Sequence, residues 1–213
     1  MIVPSLPGLG RVTIIERADD AAVADWLAAR LAERFAQDGP VTVTVPGGST
    51  PFPIIEQLLA RDLPWHRLVV WPNDDRAVPE DHPASNTGKL RALFAPAGAE
   101  VVTLSEMEAV PRFAFAWLGM GEDGHIASLF PNTDPRTDDP RRIVRLTPDP
   151  LPPEAPFDRI SLTLPALLAS DELVFVIRGA AKREVLNAAV ANESDLPVAR
   201  LLAAATQPVT CFA

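Results

Sequence analysis

The run Phe113-Ala114-Phe115-Ala116-Trp117-Leu118, followed at once by Gly119-Met120-Gly121-Glu122-Asp123-Gly124-His125, constrains the fold more than any other stretch of this chain. Six consecutive apolar residues without polar alternation read as a strand buried on both faces. Such strands belong to largely parallel sheets whose faces are covered by helices. The glycines just beyond it let the backbone turn sharply and approach a ligand with no Cβ in the way. In open parallel sheets ligands bind outside the C-terminal strand ends. Asp123 and His125 stand at such an end, so this stretch is expected to floor a functional site. A short helix is expected after His125, stopping at Pro131.

The rest of the chain alternates in the same way. Apolar or β-branched runs at 12–16, 41–45, 67–71, 101–104, 142–146, 159–164, 173–177 and 208–212 read as strands. A helix capped by Asp19 or Asp20 places Val23, Trp26, Leu27, Leu31 and Phe35 on one face. Further helices are expected from Pro51 through Leu59, from Ser85-Asn86 to Phe94, after Pro165, from Gly179 to near Val190, and at 197–202. Residues 72–79 read as a loop. Residues 131–156, dense in Pro, Asp and Arg, read as a long excursion with one strand inside it. The alternation implies an α/β fold, a single three-layer domain over residues 1–213 with a largely parallel sheet. At 213 residues the chain is long enough to bury a full core.

A net charge of −9 argues against a nucleic-acid binder, which carries a basic stripe. It leaves room for an anionic small molecule, because a few local cations and backbone N–H groups hold a phosphate. No apolar run approaches the ~20 residues of a membrane span. The single cysteine, Cys211, forms no internal disulfide. Residues 1–10 lack the basic and apolar regions of a signal peptide, so a cytoplasmic location is expected.

Three further segments carry candidate chemistry. Gly47-Gly48-Ser49-Thr50 precedes a helix and is either an anion cradle of backbone N–H groups or an ordinary tight turn with a cap. No lysine precedes the Ser-Thr pair, so it is not a P-loop. Asp74-Asp75-Arg76, with Ser85-Asn86 downstream, is either a surface ion pair or an oriented oxyanion binder. Lys182, at a helix start after Gly179, is either an anion contact or a solvated lysine. Residues 119–124 formally fit G-x-G-x-x-G, but Pro131 arrives too soon for the helix of a dinucleotide unit, and a nicotinamide site is not expected. His66 and His82 read as surface residues, which leaves His125 as the catalytic candidate. The ligand inventory of one Cys and three His shows no zinc spacing, and neither a metal nor a cofactor is expected.

Taken together, Pro-Gly-Gly-Ser-Thr-Pro at 46–51, Asp-Asp-Arg-Ala-Val-Pro at 74–79, Leu-Gly-Met-Gly-Glu-Asp-Gly-His-Ile-Ala-Ser-Leu-Phe-Pro at 118–131, Arg-Ile-Ser-Leu-Thr-Leu-Pro at 159–165 and Gly-Ala-Ala-Lys at 179–182 resemble the 6-phosphogluconolactonase family. These motifs span nearly the whole chain. The family usually has Glu where this chain has Asp75, and Thr where it has Ile126, a position at which related glucosamine-6-phosphate deaminases carry Ile. The resemblance implies a sugar-phosphate isomerase/deaminase-like fold and hydrolysis of 6-phospho-D-glucono-1,5-lactone. It implies His125 as general base and Asp123 as its orienting carboxylate. Gly47, Gly48, Ser49 and Thr50 then receive the substrate or its developing oxyanion, Arg76 and Lys182 hold the phosphate, and Asp74 belongs to the substrate site. The implied partner is a small sugar-phosphate lactone, with the chain a monomer or homodimer. An amino-sugar phosphate deaminase, a non-catalytic sugar-phosphate sensor and a Ser49 nucleophile are the alternatives.

Overall fold

A computed structural model describes residues 12–153 and 155–213; the reading of residues 1–10 as lacking a signal peptide lies outside the described residues. Successive side chains on a strand go to opposite faces, and here that parity sorts the apolar residues into two cores. On β6 (Phe115–Leu118), Phe115 and Trp117 pack on one side, Ala116 and Leu118 on the other. On β9 (Leu173–Val176), Val174 and Val176 join the first side, Leu173 and Phe175 the second. The first side is covered by α1 (Asp20–Phe35), α2 (Pro51–Leu59) and α3 (Asn86–Phe94). The second is covered by α4 (Leu164–Leu168), α5 (Ala180–Val190) and α6 (Pro197–Ala204). The result is the expected three layers, with strands buried on both faces at the centre.

The sheet has seven strands in the order β1-β10-β9-β6-β2-β3-β5, with every adjacent pair parallel. The remaining members are β1 (Val12–Ile15), β2 (Val41–Val45), β3 (Leu68–Pro72), β5 (Glu100–Val101) and β10 (Val209–Phe212). Local signals set the helix starts as anticipated. Asp19 Oδ1 accepts from Ala22 N–H at 2.8 Å, and Ser85 Oγ accepts from Gly88 N–H at 3.0 Å.

Three readings of the sequence are corrected. The segment at 72–79 is not wholly a loop. It contains β4 (Asp74–Arg76), which pairs antiparallel with β8 (Arg159–Leu162), itself paired with β7 (Ile143–Leu146), in a second, three-stranded sheet. Asn73 makes the transfer: its N–H donates to Val45 O at 2.8 Å in the main sheet, and its carbonyl accepts from Leu162 N–H at 2.9 Å. Polar Asp74 and Arg76 gave no strand signal because their partner, β8, lies far along the chain. The strand expected at 101–104 is only two residues long and sits at the sheet edge.

No helix forms between His125 and Pro131, where one was expected. Residues 119–129 fold into a compact turn, with Gly121 N–H donating to His125 O at 2.9 Å and a bridge pairing Met120 with Ile126. Gly124 at φ +75° and Ala127 at φ +50° interrupt the consecutive right-handed conformations a helix needs.

Candidate active site

From β2 the chain moves outward through α2 and α3 to β3 and β5; from β6 it moves the opposite way, to β9 and β10, with its helices on the other face. The loops after β2 and β6 therefore diverge, which leaves a crevice at the C-terminal strand ends. A cavity of about 390 Å³ opens there, within the usual size of small-molecule sites. It is lined by Gly47, Gly48, Ser49 and Thr50 after β2, by Asp74 and Arg76 of β4, by His125, and by Lys182 of α5. Of the nine residues singled out from sequence, only Asp123 is not in the lining.

Asp123 stands behind His125 instead. Its Oδ1 lies 2.6 Å from His125 Nδ1 and also accepts the His125 backbone N–H at 3.2 Å. Hydrogen bonding from His125 holds the Asp123 carboxyl below the ordinary range, against a smaller opposing effect of burial. A carboxylate that close to Nδ1 keeps the ring proton there and leaves the Nε2 lone pair free. The imidazole also rests on Phe130, with ring centroids 4.8 Å apart. Gly121 is required by this pair, because a Cβ there would lie 2.2 Å from His125 Nδ1. Beneath the turn, Val198 N–H at the start of α6 donates to Gly124 O at 3.1 Å.

On β4 alternate side chains face opposite ways, Asp74 and Arg76 into the cavity and Asp75 away from it. The Asp75 carboxylate accepts four hydrogen bonds, from Arg76 N–H (2.7 Å), Asn86 N–H (2.6 Å), Thr87 N–H (2.9 Å) and Ser85 Oγ (3.0 Å). Three of these donors lie at the start of α3, where a negative charge also meets the positive end of the helix dipole. Asp75 is thus an anchor that fixes α3 against β4. Arg76 in turn donates from Nη1 to Asn86 Oδ1 at 2.7 Å and to Ala84 O at 3.1 Å, and its buried Nε has no partner among the described residues. Burial pushes the Asp74 carboxyl above the ordinary range, with the Ser128 hydrogen bond and the Arg76 charge opposing it.

The cradle after β2 depends on backbone geometry. A Cβ at Gly47 would fall 2.2 Å from the Asn86 side chain, and Gly48 has φ +98°. Thr50 does not cap α2 through its side chain, and neither the Ser49 nor the Thr50 hydroxyl has a hydrogen-bond partner among the described residues. Lys182, in the first turn of α5, likewise has no ion pair among the described residues. No group of three or more His, Cys, Asp or Glu side chains among the described residues is arranged to hold a metal ion. His66 is exposed as anticipated; His82 is half-buried, accepts the Ala84 N–H at Nδ1 and packs edge-on to Phe157.

Residues 17–210 match the family described as glucosamine-6-phosphate isomerases/6-phosphogluconolactonase. The chain belongs to that family. Among its relatives, the 6-phosphogluconolactonase of Caulobacter vibrioides is 34% identical over 206 residues, covering 85% of this chain and 86% of that one. That of Pseudomonas aeruginosa is 34% identical over 202 residues, covering 84% of each. Among solved structures, a 6-phosphogluconolactonase from Shewanella baltica superposes with a TM-score of 0.80 at 25% identity, covering 96% of this chain and 98% of that one. The Thermotoga maritima 6-phosphogluconolactonase gives a TM-score of 0.79 at 23% identity, covering 94% and 98%, a likeness of fold.

In this member of the glucosamine-6-phosphate isomerase/6-phosphogluconolactonase family the cavity holds residues that sequence reasoning did not single out as site residues. Asn86, Ser128, Arg159 and Arg178 all line it. Arg159 is paired in register with Arg76 and is almost wholly buried. Its guanidinium donates to Phe157 O at 2.5 Å and Ala155 O at 2.8 Å, so it also holds the cavity wall formed by the β7–β8 connection. Burial, helped by the neighbouring Arg76 charge, pulls its pKa below the ordinary arginine range. Arg178, two residues past β9, pairs with Asp20 of α1 at 3.1 Å. The available signals were slight: an arginine opening an apolar strand at 159, and another closing one at 178. The site thus combines an imidazole whose Nε2 has no partner among the described residues, one inward carboxyl and four cations, which suits proton transfer beside a bound anion.

Proposed function

We propose that this chain hydrolyses 6-phospho-D-glucono-1,5-lactone to 6-phospho-D-gluconate, the lactone-opening step of the oxidative pentose phosphate pathway. The observation that carries the reading is the His125–Asp123 pair at the mouth of a cationic cavity, in a chain whose relatives are 6-phosphogluconolactonases. A δ-lactone is a reactive ester, so activated water suffices and no acyl-enzyme is needed. His125 Nε2 takes a proton from water, and the oxygen attacks the C1 carbonyl. Asp123 stabilises the resulting imidazolium through Nδ1. The N–H groups of the 47–50 turn receive the oxyanion, and Arg76 and Lys182 hold the phosphate, with Arg159 adding positive charge nearby. Collapse of the tetrahedral intermediate breaks the bond from C1 to the ring oxygen, which takes the proton back from His125. The product is the open-chain acid.

The reading includes a cytoplasmic location and a small sugar phosphate as the partner. No described helix is long and apolar enough to cross a membrane. The test is hydrolysis of freshly generated lactone, corrected for its spontaneous opening; a rate no faster than the background refutes the proposal. Because the matched family also covers glucosamine-6-phosphate isomerases, ammonia release from glucosamine 6-phosphate is measured in parallel. Turnover there, with none on the lactone, replaces the lactonase reading with the deaminase one.

A further inference from the structure

Ser128 has no part in the chemistry above, yet it connects the catalytic turn to both strands of the second sheet that border the cavity. Ala127 before it is in the left-handed region at φ +50°, a conformation rare for a residue with a side chain and often found at functional sites. Ser128 follows, 1% exposed, between β4 and β8. Its N–H donates to Ser161 Oγ at 3.2 Å, and Ser161 Oγ, on a fully buried residue, donates to Leu162 O at 3.0 Å. The Ser128 hydroxyl donates to Asp74 Oδ2. Asp74 Oδ1 has no hydrogen-bond partner among the described residues, and Asp74 lines the cavity. One oxygen of the carboxylate is therefore tied to the fold while the other is left to a ligand.

We infer that Ser128 is a positioning residue: braced by Ser161, it holds the Asp74 carboxylate so that Oδ1 accepts a hydroxyl of the sugar-phosphate lactone. The identity of that ligand rests on the lactonase reading, whereas the hydrogen-bond chain does not. A serine that merely fills space between two sheets would leave the behaviour of Asp74 unchanged when its hydroxyl is removed; a positioning serine changes it in a defined direction. The charged groups that act on Asp74 are Arg76 on its own strand, Asp75 beside it on the opposite face, Arg159 from β8 and His125 from the turn after β6. Burial pushes the carboxyl up and the Ser128 bond opposes this. Loss of the hydroxyl leaves burial less opposed, so Asp74 titrates at still higher pH.

The experiment follows the Asp74 carboxyl carbon by NMR across pH in wild type and Ser128→Ala, alongside lactone hydrolysis over the same pH range. In Ser128→Ala the Asp74 midpoint rises. KM increases up to about tenfold, the scale of one lost hydrogen bond, with a smaller fall in kcat. The acid limb of kcat/KM moves to higher pH. In an Asp74→Asn background the same substitution changes neither KM nor the pH profile. An unmoved Asp74 titration overturns the inference. So does a titration that moves while KM and the pH profile stay put, or a full additional loss on top of Asp74→Asn. Should Ser128→Ala fail to fold, Ser128→Cys, a weaker donor of similar size, carries the same expectations and the same refutations. A wild type that hydrolyses no lactone sinks the lactonase reading alone, since the titration still decides whether Ser128 governs Asp74.

Discussion

Gly121→Ala separates the geometry of the His125–Asp123 pair from the stability of the fold. A Cβ at position 121 would lie 2.2 Å from His125 Nδ1, 2.3 Å from its Cε1 and 2.5 Å from Asp123 Oδ1. Ordinary contact begins at 3.4 Å, so the imidazole must retreat by about 1.2 Å, at the expense of its 2.6 Å bond to Asp123. Gly121 is not among the positive-φ glycines, so its own backbone accepts alanine. The obstructing atoms are side-chain ends at a half-exposed site, free to shift without disturbing the core. Misplacing a reacting group by ~1 Å costs on the order of 10²-fold in rate, whereas substitutions outside the core shift stability by ~0.5 kcal/mol. The expected result is a kcat about 10²-fold lower with a nearly unchanged denaturation midpoint. The measurements are initial rates on fresh lactone and urea unfolding of both proteins. A Gly121→Ala enzyme with wild-type kcat would show that the observed position of His125 does not matter to the reaction. A comparable rate loss accompanied by several kcal/mol of destabilisation would mean that the glycine serves the fold instead.

Three other substitutions probe the remaining parts of the site. His125→Asn should lower kcat by ~10²–10⁴-fold while leaving 6-phosphogluconate affinity nearly intact; near-wild-type kcat in the folded variant removes His125 from the mechanism and returns the Ser49 alternative. Lys182→Met should raise KM more than it lowers kcat, and the wild type should use the phosphate-free lactone poorly; equal efficiency on the two lactones excludes a phosphate site. Asp74→Asn should stabilise the protein at neutral pH while impairing turnover. Burial raises the folded-state pKa of Asp74, so the folded protein binds that proton more tightly than the unfolded chain, and ionising it costs stability as pH rises through the folded value. Thermal melts should show the variant ahead at pH 7, with the advantage absent below the unfolded carboxylate value of ~3.9; equal melts at pH 7 contradict this.

At β4 the sequence left open which side chain faces the cavity. Asp74-Asp75-Arg76 reads from sequence as one chemical cluster, and all three side chains have defined partners, but Asp75 points away from the cavity to anchor α3. Nothing in its immediate neighbours distinguishes it from Asp74. The difference arises because β4 is a strand, which sends adjacent side chains to opposite faces, and it is a strand only because β8 pairs with it. The turn after β6 carries the same lesson in reverse. Its glycines were visible, and so was the proximity of Asp123 to His125, but a helix was expected where positive φ at Gly124 and Ala127 produces a tight turn. Ala127 carries no sequence signal for that conformation; the hydrogen bonds of Ser128 to Asp74 and Ser161 accompany it.

Whatever depends on near neighbours was legible in the sequence. Apolar runs set the central strands, side chains capped α1 and α3, and the glycines after β2 and β6 marked where the backbone had to turn or be approached closely. These effects act over three or four residues, and they were enough to establish the layered fold and the strand ends that hold the site. Which cations share the cavity, which carboxylate faces it, and the second sheet's part in its wall follow from contacts between distant segments. Arg76 and Arg159 lie 83 positions apart in the chain, yet they stand opposite each other in one ladder. That neighbourhood is made by non-local backbone hydrogen bonds and by the burial that follows from them, and no pattern within either segment encodes it.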